Sequence, residues 1–183
     1  MIEKFLIEHC SPTLASLKTA SLFTYSFDSK EDFIKDIDSL NHKLCAKGVS
    51  LIILRLQKNT ALVYVARFSS LKRDLSKPGT AEFLKTYGYE STDCVYALKR
   101  LKQRICAGDG FPHEIGLFLG YPLGDVQGFI ENAGAHCKCS GCWKVYCNEC
   151  EAIKTFARFK KCKSVYSKLF NNGRSVLQLT VAA

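Results

Sequence analysis

Two neighbouring stretches saturated with apolar residues organise the first third of the chain. Ser50–Leu56 and Thr60–Arg67 are rich in β-branched and aromatic residues, and Gln57-Lys58-Asn59 alone separates them. That pattern predicts a hairpin over 50–67. Leu51-Ile52-Ile53-Leu54 is nearly continuously apolar, which predicts a central strand covered on both faces. Leu22–Phe27 alternates in the manner of a further strand. Between them, Phe33, Ile37, Leu40 and Leu44 recur at helical spacing. Asp28 and Ser29 cap that helix over about 30–46, and Lys47-Gly48 ends it. Residues 2–8 make a short amphipathic helix at most. Ser11 as a cap and Pro12 at a first helical position predict a helix beginning there.

The remainder reads mostly as helix. Ser69–Leu75 and Thr80–Tyr87 are separated by Lys77-Pro78-Gly79. Thr92–Cys106 carries Cys94, Leu98, Leu101 and Ile105 along one stripe. Ala107-Gly108-Asp109-Gly110 is a flexible break, and Pro112 opens another helix. A short helix follows over Asp125–Asn132, then a short strand over Trp143–Tyr146. A long last helix over about 149–170 should turn Ile153, Phe156, Phe159 and Leu169 inward. Arg174–Ala183 has no clear pattern. The expected architecture is one α+β domain over 1–183, with a three- to four-stranded sheet covered by helices.

Composition narrows the class. The chain has 183 residues and is 47% hydrophobic, which suits a folded core and excludes disorder. No apolar run approaches the ~18–20 residues that cross a bilayer, and the N-terminus lacks the pattern of a signal peptide. The reading is a cytosolic protein without a membrane segment. The net charge is +9. The surplus is spread over Lys99, Arg100, Lys102 and Arg104 on one helix and Arg158, Lys160, Lys161 and Lys163 on another, with no nucleic-acid-binding motif.

Cysteine changes the picture most. Of ten cysteines, five fall within His136–Cys150, and Cys162 follows on the last helix. In a reducing cytosol such density points to metal or thiol-redox work rather than a disulfide framework. Cys139-x2-Cys142 and Cys147-x2-Cys150 each have the spacing of a metal knuckle. With Trp143–Tyr146 extended, Cys142 and Cys147 lie roughly 16 Å apart at ~3.3 Å per residue. Four sulfurs at about 2.3 Å from one ion are then out of reach. A site at the strand's entry, from Cys137, Cys139 and Cys142 with His136 as a fourth ligand, is preferred over one using Cys147 and Cys150. Zinc and an iron–sulfur cluster both fit the spacing. Reversible thiol chemistry and simple reduced thiols stay open beside them. Cys45, Cys94 and Cys106 read as packing residues.

A second constellation is Cys10 with His113. A cysteine just before a helix N-terminus is inclined to ionise, and a histidine could serve as its base. Glu114 is badly placed to orient the adjacent ring. The plain alternative is that Cys10 and His113 pack. Trp143, Tyr146 and Tyr121 with the basic helices offer a third reading, a basic interaction module without catalysis.

Cys10-Ser-Pro-Thr-Leu-Ala, Lys47-Gly-Val, Leu62-Val-Tyr-Val, Phe111-Pro-His-Glu-Ile-Gly-Leu-Phe-Leu-Gly-Tyr-Pro, Trp143-Lys-Val-Tyr and Lys161-Cys162 occur in this order. Together they resemble a family of small bacterial proteins known as domain of unknown function 3793, over nearly the whole chain. The resemblance covers a cysteine near Cys139, the Trp143–Tyr146 run and Cys162, whereas Cys142, Cys147 and Cys150 stand as additions. It implies a place in iron or redox physiology and a flavodoxin-like redox partner. It implies no particular reaction.

Overall fold

The computed structural model describes residues 2–108 and 110–182. Asp109 of the expected break and Ala183 of the expected tail lie outside them. The fold is α+β. The chain divides into two compact units, one formed by residues 1–71 and 162–183, the other by 72–161.

The first unit is built on a three-stranded antiparallel sheet, β1 (Ala20–Ser26), β2 (Ser50–Leu56) and β3 (Thr60–Ala66), in the order β1-β3-β2. The hairpin forms as expected, but its second strand is the central one. The apolar run in β2 has another cause than burial on both faces. Its register shifts between Ile53 and Arg55, so Leu54 is an extra residue at a bulge. The bulge breaks the alternation, and Leu51 and Leu54 are both buried on an edge strand.

Helix α1 (Ile2–Leu14) lies against β1, and its apolar stripe Ile2, Leu6, Ile7, Cys10 and Leu14 is buried. Ser11 and Pro12 sit near its end, where a helix start was expected. The Ser11 hydroxyl donates to the Ile7 carbonyl. Proline offers no N–H but tolerates helical φ, so the stripe's burial carries the helix through it. Ser16 then takes a left-handed φ of 59° and ends the turn. Helix α2 (Lys30–Leu44) is capped by Ser29, whose Oγ accepts from the Asp32 N–H, and Phe33, Ile37, Leu40 and Leu44 are buried as their spacing required. The C-terminal segment also belongs here. Ser175 and Gln178 form a reciprocal capping box that starts α9 (Val176–Leu179), and Val176 and Leu179 enter the same core.

Among the described residues of this unit, one charged side chain lies inside. Arg67 is 1% exposed and meets no carboxylate among them. Its Nε donates to the Thr13 carbonyl at 2.7 Å, and its terminal nitrogens donate to Leu14, Val181 and Lys47 carbonyls at 2.7, 2.7 and 3.1 Å. Thr13 and Leu14 are the last residues of α1, whose final carbonyls form the negative end of the helix dipole.

In the second unit α3 (Phe68–Leu75), begun in the first unit, leads to α4 (Thr80–Lys85) and α5 (Cys94–Ala107). Asp93 caps α5 through Oδ1, which accepts from the Val95 and Tyr96 N–H groups. The helix expected from Pro112 is reduced to one turn, α6 (Ile115–Phe118), and α7 covers Leu123–Glu131. The expected strand at Trp143–Tyr146 is only β5 (Lys144–Val145), and it pairs with an unexpected partner, β4 (Cys139–Ser140). Helix α8 (Glu149–Asn171) runs as anticipated, and of its expected inward residues Phe159 is buried and Phe156 half-buried. Ile153 and Leu169 are instead 52% and 37% exposed, and Ala152 and Cys162 are buried on Phe159's side of the helix. Among the described residues, no helix is long and apolar enough to cross a membrane.

Candidate functional site

The cysteine stretch folds as a hairpin seated on α7. Three features of α7 make the seat. Asp125, 3% exposed, accepts the Trp143 indole N–H on Oδ2 and the Tyr146 and Cys147 backbone N–H groups on Oδ1, all at 2.8 Å. Gly124 and Gly128 flank it one turn apart. A Cβ on Gly124 would lie 2.3 Å from the Cys147 Sγ, and one on Gly128 would lie 2.6 Å from the Tyr146 Cβ. The hairpin thus rests on a side-chain-free stretch of helix and is fastened by one carboxylate. Gly141, in the turn, gives way in the same manner to the Phe156 ring.

The hairpin redistributes the cysteines. Cys139 stands opposite Val145, and Cys142 is carried out to the turn, where Gly141 N–H donates to the Trp143 carbonyl at 3.0 Å. The expected grouping of Cys139 with Cys142 at one strand end is therefore replaced by Cys139 at the level of residue 145. Cys137 and Cys139 are half-buried, and Cys142, Cys147 and Cys150 are exposed. His136 is exposed, with φ 57°. All ten cysteines are free thiols. Among the described residues, no three His, Cys, Asp or Glu side chains converge in a group that could hold a metal.

Electrostatics at Cys139 and Cys147 favour the protonated form. Burial raises the Cys139 pKa, and Glu149, Cys137 and Asp125 push the same way. Burial also raises Cys147, with Asp125 beside it, and Lys138 only partly opposes this. Cys10 is stronger still. It is fully buried in α1, far from any helix start, and burial pushes its thiol up to about 12.

His113 and Glu114 take separate roles. His113 is exposed, with its ring 5.0 Å from that of Phe129. Glu114 is 1% exposed, and its Oε1 accepts from the Tyr89 hydroxyl at 3.1 Å and pairs with the Arg104 Nε. Cys10 belongs to the first unit and His113 to the second.

The described residues of the second unit line cavities, of which two bear on the site. One of about 290 Å³ is walled by Ile115, Leu119, Val126, Phe129, Tyr121 and Trp143, with His113, Asp125, Ser140 and Lys144 supplying polar atoms. Trp143 is held from three directions. Its indole is stacked with Tyr121 at 4.9 Å and meets Phe156 edge-on at 4.6 Å, besides its bond to Asp125. The Lys144 ammonium stands 5.9 Å from the Phe129 ring centre. The other cavity, about 480 Å³, is lined by Tyr87, Arg100, Arg104, Phe111 and Glu114, among others, and shares His113 with the first.

Asp125 is the residue that sequence reasoning passed over. Glycines at 124 and 128 around the carboxylate of Asp125 in a short helix were the available signal, since small residues one turn apart permit close approach of another segment.

No curated protein and no solved structure matches the chain. One family does, described as protein of unknown function (DUF3793), over residues 6–180. With nearly its whole length matched, the chain belongs to the DUF3793 family.

Proposed function

We propose that the second unit is a small-molecule-binding unit, and that the cleft at Trp143 takes a planar, mainly apolar ligand. The observation that carries this reading is the fixing of Trp143 beside an open apolar cleft. A buried carboxylate, a stacked tyrosine and an edge-on phenylalanine hold the indole before any ligand arrives. Preorganised aromatic walls lower the ordering cost of binding. Apolar lining with a few placed polar groups is the usual character of ligand sites, and about 290 Å³ stands near the lower end of their ~300–1,000 Å³ range. The occupant is therefore of one or two rings, bounded by the Lys144 ammonium and the Ser140 hydroxyl. The upward-shifted thiols at Cys139 and Cys147 support a structural and shielding part for them in the resting protein rather than nucleophilic attack.

Trp143 is the chain's single tryptophan, so its emission reports on this cleft alone. Titration with benzimidazole, purine and naphthoquinone compounds should give saturable quenching with at least one ring system. Phe129→Ala should weaken it. Absence of saturable quenching by all three, or an unchanged titration in Phe129→Ala, overturns the reading.

A further inference from the structure

Among the described residues, the lining of the larger cavity carries more positive charge than it neutralises. It sets two guanidiniums, Arg100 and Arg104, against one carboxylate, Glu114. Glu114 is already committed. It is buried, paired with Arg104, and held by the Tyr89 hydroxyl, whose pKa burial and then the Glu114 charge push well upward, so that it remains a donor. For Arg104, burial opposes the charge, but the Glu114 carboxylate outweighs it and raises the guanidinium's pKa. Among the described residues Arg100 has no such partner. Its Nε is shielded from solvent and donates to none of them. Buried guanidinium donors are ordinarily satisfied, since an unmade bond there is expensive.

The two arginines are also positioned. They lie four residues apart on α5, and so on one face of the helix. The segment Tyr87-Gly88-Tyr89 backs both. The Tyr87 ring centre is 5.5 Å from the Arg104 guanidinium carbon, and a Cβ on Gly88 would fall 2.9 Å from Arg100 Nη2. Gly88, at φ 76°, thus leaves the room the Arg100 fork occupies. Phe111 and Ile130 supply an apolar side to the same cavity.

We infer that this cavity is an oxyanion-binding site, in which Arg100 receives the carboxylate or phosphate group of a small anionic molecule whose carbon part rests on Phe111 and Ile130. The planar fork of a guanidinium matches both oxyanions through paired hydrogen bonds. The site adjoins the Trp143 cleft at His113, but its anion contact is Arg100, which lines only the larger cavity, and it does not depend on that cleft's occupant.

Calorimetric titration of the whole chain with inorganic phosphate and with succinate, in 0.15 M sodium chloride to screen diffuse attraction, tests it and tells the two sources apart. At least one anion should bind saturably with one site per chain. Arg100→Gln should lower that affinity by ~10-fold or more, the worth of a charge-assisted bond. Arg100→Lys, which keeps the charge and loses the fork, should also weaken it. Lys99→Gln, an exposed cation on the same helix outside the cavity, should change it less than ~2-fold. Each variant's circular dichroism and melting curve confirm folding. No saturable binding of either anion, or equal losses in Lys99→Gln and Arg100→Gln, overturns the inference.

Discussion

The indole N–H of Trp143 donates to Asp125 Oδ2 at 2.8 Å, joining residues eighteen apart in sequence. The other oxygen of the same carboxylate takes two backbone N–H groups. Three donors on one buried carboxylate leave little slack. Bonds to a charged acceptor contribute roughly 1.5–3 kcal/mol each, though not additively. Asp125→Ala should destabilise the protein by about 3 kcal/mol or more in urea titrations and release Trp143, shifting its emission to the red. A loss below about 1 kcal/mol would show that ring packing, not the carboxylate, holds the hairpin.

The two glycines beside Asp125 should respond differently. Alanine raises helix propensity by about 1 kcal/mol over glycine, so an open site would gain stability. At Gly128 the new methyl meets Tyr146 Cβ and the root of its ring, which can move only with the backbone. Gly128→Ala should therefore cost about 1–3 kcal/mol net. At Gly124 the obstacle is the Cys147 thiol, which can rotate. Gly124→Ala should cost less, and Cys147→Ala should relieve it further. Denaturation midpoints of the three variants decide the order.

Thiol accessibility gives a direct check on the cysteines. Iodoacetamide at pH 8 should label the exposed Cys45, Cys106, Cys142 and Cys150, reach Cys147 more slowly because its pKa is raised, and spare Cys10 until the protein unfolds. Mass spectrometry of the digested protein reads the pattern. Modification of Cys10 in the native protein would contradict its burial.

Cys10 also sets an alkaline limit. Its thiol titrates near 9.0 when exposed and near 12 in the fold. The unfolded chain then holds fewer protons than the native one between those values. Stability from this group is complete below pH 9.0 and falls as pH rises toward about 12, by up to about 1.4 kcal/mol per unit. Cys10→Ala should flatten that part of the pH–stability curve. An unaltered slope would place the alkaline loss elsewhere.

Much of this was legible in the residues, for local reasons. Phe33, Ile37, Leu40 and Leu44 announce one helix, and Gln57-Lys58-Asn59 between two β-branched runs announces a hairpin. The failures share a cause, the dominance of long-range packing over local signals. Ser11-Pro12 looks like a helix start, but the buried stripe from Ile2 to Leu14 runs the helix through it. Leu51–Leu54 looks like a central strand because a bulge mimics burial on both faces. In the site, the basic character of α5 was visible, whereas the cavity between Arg100 and Phe111 depends on a turn at Pro112 that propensity rendered as helix. The cysteine spacing was plain, but pairing of Cys139 with Val145 rests on Asp125, fourteen residues before Cys139.

Arg67 should tolerate replacement poorly. Arg67→Ala takes a donor from four carbonyl groups, of which Thr13 and Leu14 keep a backbone N–H from Ser16 and Val181. Losing several hydrogen bonds made by one charged group costs about 3 kcal/mol or more. Arg67→Lys, with three donors and no fork, should recover only part of it. A denaturation midpoint for Arg67→Ala equal to that of the parent would refute the assignment.

The Arg67–Val181 bond also imposes an order on biosynthesis. The two residues are 114 positions apart. The whole of residues 72–161 is translated between the two pieces of the first unit. At ~5–20 residues per second, that interval lasts roughly 5–20 s. During it the sheet and α1 have left the ribosome, but Val176, Leu179 and the last acceptor for a buried guanidinium have not yet been made. The second unit, continuous in sequence, can complete its contacts while the ribosome is still at work. The first unit is finished only when the newest residues reach the oldest, so a nascent chain stalled before Val176 would display an open core edge to the chaperones around it.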